Sequence, residues 1–140
     1  MIVLDTNVVS ELLRPNPMPQ VVTWVDAQAA DDLWLCSVVL AELLYGVERL
    51  PQGRKREALS QALRDVVELD FDARVLPFDA DCAATYATLI GARERAGRPI
   101  HQADAQIAAI CRTFGARLAT RKVKDFEGLD LALINPWALG

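Results

Sequence analysis

Three acidic residues stand where their neighbours call for burial. Asp5 ends the apolar run Ile2-Val3-Leu4. That run reads as a buried strand, and the carboxyl end of a strand borders the crevice where an open α/β sheet binds ligands. Glu42 lies inside Val38-Val39-Leu40-Ala41-Glu42-Leu43-Leu44-Tyr45-Gly46, with no basic partner three or four residues away. A lone carboxylate on an apolar helix face is costly unless a cation or hydrogen bonds compensate it. Asp104 occupies the first turn of Gln102-Ala103-Asp104-Ala105-Gln106-Ile107-Ala108-Ala109. There the helix dipole favours an anion, and the alanines leave room for close approach. Each has a plainer reading too: Asp5 as a cap, Glu42 as a solvent-facing residue, Asp104 as a helix-start acid. Carboxylates brought within a few ångströms of one another repel, so at neutral pH they share protons or bind a cation. Oxygen-only ligands select Mg²⁺ or Mn²⁺, and such an ion keeps waters that can be activated against a phosphodiester. The chemistry these residues would support is metal-assisted phosphoryl transfer.

Little else in the chain could carry a reaction. The single histidine, His101, excludes a site needing two histidine ligands, and we place it at the surface or behind the acids. No G-x-S-x-G elbow, G-x-x-x-x-G-K-[ST] loop or G-x-G-x-x-G turn is present. The three cysteines, Cys36, Cys82 and Cys111, have neither an even count nor CxxC spacing and read as reduced core thiols. A dehalogenase-like phosphatase needs a second acid two residues after the first, where Asn7 stands. The net charge of −4 speaks against electrostatic coating of nucleic acid, although a bound cation would invert the field locally. With 6% aromatic residues a base-stacking platform is not expected, so any nucleic acid would be met through backbone charge and shape, with Arg121 and Lys122 the candidates to meet its backbone.

Positioning the acids falls to an alternation of short apolar runs and helical stretches. Strands are expected at 1–4, 32–36, 75–78, 117–120 and 131–134. Asn7 is expected to cap a helix from Val8 to Leu13 that the prolines at 15, 17 and 19 terminate. Ser37 caps a helix from Val38 to Arg49, and Asp79 caps one through Arg95. Further helices follow around 21–25, 54–69 and 102–114. Strands separated by helices favour a parallel sheet with helices on both faces. The 140 residues, 52% hydrophobic, predict a single domain over 1–140. No apolar run approaches a membrane span, and no signal-like segment opens the chain, so a cytoplasmic location is expected.

The segments Ile2-Val3-Leu4-Asp5-Thr6-Asn7-Val8, Ala41-Glu42-Leu43 with Gly46, and Pro77-Phe78-Asp79 form an ordered set with Ala103 to Ala109, Leu118-Ala119-Thr120-Arg121 and Asn135-Pro136-Trp137. In order and separation the set resembles the PIN-domain ribonucleases, specifically the VapC-type toxins near the FitB-like branch, over essentially the whole chain. The resemblance implies a three-layer α/β sandwich with a mostly parallel central sheet. It implies that Asp5, Glu42 and Asp104 hold Mg²⁺ or Mn²⁺, that Thr6 and Asn7 shape the site beside Asp5, and that Thr120 lies at its edge. It further implies RNA cleavage, a VapB-type antitoxin partner, a homodimer, and promoter DNA reached only through the antitoxin. One departure stands out. After Ala119-Thr120-Arg121 the family usually has Asn or Asp, and this chain has Lys122. An ammonium there would either clamp phosphate or weaken the metal site, leaving a binding module that acts with its antitoxin in a repressor complex. Asp125 is a candidate fourth acid in compensation.

Overall fold

The computed structural model describes residues 1–138; Leu139 and Gly140, the last positions of the expected domain, lie outside them. Five parallel strands form the sheet, in the order β3-β2-β1-β4-β5. They are β1 (Ile2–Leu4), β2 (Leu33–Cys36), β3 (Val75–Leu76), β4 (Arg117–Ala119) and β5 (Leu133–Ile134). The helices are α1 (Thr6–Leu12), α2 (Pro19–Asp26), α3 (Ser37–Glu48), α4 (Arg54–Asp65), α5 (Ala80–Arg95), α6 (Gln102–Phe114) and α7 (Val123–Phe126). A sheet flanked by helices is the α/β architecture expected from the alternation of runs.

The central strand β1 is wholly buried, as a strand covered on both faces must be. It pairs with β2 on one side (Val3 opposite Trp34) and with β4 on the other (Leu4 opposite Ala119). That register carries forward by one residue, so Asp5 and Thr120 leave the sheet side by side. The Asp5 N–H donates to the Ala119 carbonyl at 2.9 Å. Sequence numbers run outward from β1 in both directions, which makes its carboxyl end the switch point where the connections diverge and a crevice opens.

Several local expectations need correction. Helix α1 starts at Thr6, and Asp5 caps it by accepting the Thr6 N–H, so Asn7 sits inside the first turn with its amide free to turn toward Asp5. Ser37 is the first residue of α3 rather than its cap, and its hydroxyl accepts the Phe78 N–H at 3.1 Å, tying β3's exit to the helix. The expected strand at 75–78 ends at Leu76, because Pro77 has no N–H to continue the ladder. The helix from 54 onward widens into a π-helical stretch at Val66–Asp70 before the turn at Asp72 and Ala73, both at positive φ. The cysteines are buried free thiols, as expected, and burial pushes the Cys36 thiol up to about 12.

Candidate active site

The site lies where β1 and β4 end. Asp5 is 1% exposed and its carboxylate is wrapped by donors. The Thr6 N–H reaches Oδ1 at 2.8 Å, the Thr120 hydroxyl reaches Oδ2 at 2.7 Å, and the Asn7 amide reaches Oδ2 at 3.2 Å. Burial raises the Asp5 carboxyl above its ordinary value; the Thr120 hydroxyl, the Thr6 N–H and the Lys122 charge oppose that, and Asp104 reinforces it. Asn7 in turn is oriented by the Arg121 N–H, which donates to its Oδ1 at 3.1 Å. A residue from the first helix and a loop near the other end of the chain therefore hold each other in place around one carboxylate.

Glu42 reaches this centre from α3. Its Oε1 accepts the Thr6 hydroxyl at 2.6 Å, so Thr6 links Asp5 through its N–H and Glu42 through its side chain. Glu42 is exposed, so the solvent-facing alternative holds for its side chain and the desolvation cost expected on an apolar face beside Val38, Val39, Tyr45 and Gly46 does not arise. It stands between two hollows. One, of about 350 Å³, is mainly apolar and runs along Leu13, Leu43, Val47 and Leu59. The other, of about 580 Å³, is lined by Glu42, His101, Gln102, Asp104, Gln106 and Lys122.

Asp104, 4% exposed in the first turn of α6, faces the second hollow. Its Oδ1 accepts from Lys122 Nζ at 2.8 Å. Burial works against the Lys122 charge, but the hydrogen bond to Asp104 and the charges of Asp104, Asp5 and Glu42 outweigh it and raise the ammonium above its ordinary value. The lysine thus feels all three acids, and Asp5 feels both Asp104 and Lys122. They share one electrostatic neighbourhood.

Among the described residues, no three acidic, histidine or cysteine groups stand close enough to cage a metal ion between them. A hard divalent ion needs no such cage, since Mg²⁺ keeps several waters and is commonly held by one or two carboxylates. The acids and hydroxyls offer oxygen ligands with no sulfur among the lining groups, and a single imidazole, His101, cannot make a nitrogen-rich site, so the residues fit one such ion. Arg121 turns outward, its guanidinium 5.1 Å from the Trp137 ring. Asp125 lies on α7 and faces a separate hollow of about 390 Å³ beside Arg98, His101 and Lys124, which it shares with Asp104. His101 is exposed.

Two participants escaped the sequence. Gln106 joins the lining of the acidic cleft; its spacing of four from Gln102 on one helix face was a legible signal. Arg93 is 8% exposed and donates to the carbonyls of Arg98, Asp125 and Glu127, which pins the segment carrying α7 behind the site. No charge pattern foretold that, because its partners are backbone groups.

Known proteins resemble this chain in sequence and fold. The PIN domain family matches residues 2–128. The VapC ribonuclease Y4jK of Sinorhizobium fredii is 41% identical over 137 residues, covering 98% of this chain and 98% of that protein. Toxin FitB of Neisseria gonorrhoeae is 40% identical, covering 98% of this chain and 99% of FitB. A solved structure of FitAB bound to an IR36 DNA fragment superposes with a TM-score of 0.92 at 38% identity, over 100% of this chain and 98% of that one.

Proposed function

The chain belongs to the PIN-domain family, in the group of the VapC and FitB toxins, and on that premise we propose that it is the toxin of a toxin–antitoxin pair and a divalent-metal-dependent endoribonuclease. The observation that carries this reading is the link from Asp5 through Thr6 to Glu42, with Asp104 charge-coupled to Asp5 in the same cleft. Asp5, Glu42 and Asp104 are the carboxylates that would hold Mg²⁺ or Mn²⁺. When bound, such an ion makes water a competent nucleophile near neutral pH and offsets charge that develops on the phosphodiester. Thr120, Thr6 and Asn7 aim the Asp5 carboxylate, and the Thr120 hydroxyl and Thr6 N–H oppose the effect of its burial. Arg121 and Lys122 present positive charge at the rim, where the RNA backbone would pass. Asp125 remains a reserve acid facing the adjoining hollow.

The partner we propose is a VapB-type antitoxin, through which the complex would reach promoter DNA, and the working unit is a homodimer in the cytoplasm. The structure of FitAB bound to a DNA fragment supports the antitoxin partner and the route to DNA, since one of its chains superposes on this one with a TM-score of 0.92. The chain acts as one domain over residues 1–140. The ion pair between Lys122 and Asp104 favours a second reading, in which catalysis has weakened and repression with the antitoxin is the main task.

Incubating the purified chain with RNA plus Mn²⁺, with and without EDTA, beside Glu42→Gln, separates the two. Cleavage that EDTA stops and that Glu42→Gln lowers by about two orders of magnitude or more supports the nuclease. Cleavage indifferent to both refutes the assignment, and no cleavage alongside tight antitoxin binding favours the repressor.

A further inference from the structure

Lys122 is fixed at both its root and its tip. Its backbone N–H donates to Thr120 Oγ1 at 3.0 Å, the same hydroxyl that serves Asp5. Its ammonium lies 2.8 Å from Asp104 Oδ1 and 5.9 Å from the ring centre of the buried Phe126. Asp104 has no other ionic partner among the described residues, and its side chain is 5% exposed against 44% for the lysine. The ammonium therefore occupies a buried carboxylate oxygen that a cation would otherwise claim.

Charge counting says what this leaves. Three carboxylates and one ammonium carry a formal −2 between them. One Mg²⁺ or Mn²⁺ neutralises that, whereas a second would leave an equal excess of positive charge beside a largely buried acid. We propose that Lys122 stands in for a second divalent ion: the cleft takes one ion, and the ammonium stays on Asp104 as a built-in second positive charge facing the phosphate backbone. The inference rests on Asp5, Glu42 and Asp104 being the metal-binding acids. It makes Lys122 a positioning residue for Asp104, one that limits how many ions enter and how tightly.

Counting bound Mn²⁺ tests it without any turnover. The metal-free full-length chain, with Lys122→Arg, Lys122→Asn, Lys122→Asp and Asp5→Asn, is titrated with Mn²⁺ by calorimetry and by the paramagnetic resonance signal of free Mn²⁺. Wild type should bind one ion, and Lys122→Arg, which keeps the charge, should do the same. Lys122→Asn removes a repulsion that even at the dielectric of water is worth about a tenfold change in affinity at ~5 Å, so it should bind Mn²⁺ at least that much more tightly. Lys122→Asp should bind two. Two ions on wild type, or Lys122→Asn affinity equal to wild type, overturns the proposal, and the wild-type count decides even where a variant fails to fold. Failure of the underlying metal reading looks different: no Mn²⁺ bound by any variant, or Asp5→Asn binding as tightly as wild type, removes the site itself and this inference with it.

Discussion

Replacing Thr120 with valine removes one hydroxyl and almost no volume, at a side chain with no exposed surface. That hydroxyl donates to Asp5 Oδ2 at 2.7 Å and accepts the Lys122 N–H at 3.0 Å. A hydrogen bond to a charged group is worth about 1.5–3 kcal/mol, and a backbone donor left without its partner adds about 1 kcal/mol. The expected loss is therefore ~2–4 kcal/mol. For a chain of this size that lowers Tm by about 6–12 °C and, at an m-value of about 2 kcal/mol/M, moves the urea midpoint down by about 1–2 M. A second readout isolates the electrostatics. Burial already raises the Asp5 carboxyl, and the Thr120 hydroxyl is the strongest group opposing it, so valine should move the carboxyl further up. A ¹³C titration of the Asp5 side chain measures this, and Thr120→Ser, which keeps the hydroxyl, should restore the wild-type titration. A stability change within about 0.5 kcal/mol together with an unmoved Asp5 titration would refute the reasoning, since that is what substitutions away from any special feature produce.

Arg93→Met should destabilise by ~2–4 kcal/mol in urea, because three carbonyls lose a nearly buried donor, and should speed amide exchange in residues 122–128. Exchange spread evenly over the chain would contradict the pinning role. The raised Asp5 carboxyl sets a pH dependence in the metal-free protein. Its folded form holds a proton above the unfolded value of 3.8, so the stability of wild type relative to Asp5→Asn should fall as pH rises from 3.8 through the folded titration and stay level above it. Denaturation curves of both proteins from pH 3.5 to 7 check this, and a relative stability that climbs with pH is incompatible with it.

The strands were legible because burial on both faces leaves continuous apolar runs, and Ile2-Val3-Leu4 and Leu33 to Cys36 are such runs. The acids were legible for a related reason: Asp5 and Asp104 interrupt sequence that is otherwise buried, and both prove buried. Glu42 was picked on the same ground but for a cause that does not hold, since it is exposed and kept in place by Thr6. What escaped was decided by tertiary contacts. Asn7 looks like a cap from its type alone, yet Asp5 takes that position because the chain must turn at the end of β1. The four-residue α7 and the π-helical stretch at Val66–Asp70 are too short for periodicity to register. Thr120 belonged to a recognisable segment, but its role as the nearest donor to Asp5 follows only from the β1–β4 register.

That register also governs when the acidic cleft can be completed. The hydroxyl that Asp5 needs arrives 115 residues later, just past the end of a strand that docks beside the first one laid down. Until the tail of the polypeptide has emerged from the ribosome, β1 lacks one of its two neighbours and its carboxylate has no complete set of donors. Under the proposed nuclease function, the acidic cleft is therefore completed only once the segment following β4 has been made and has docked.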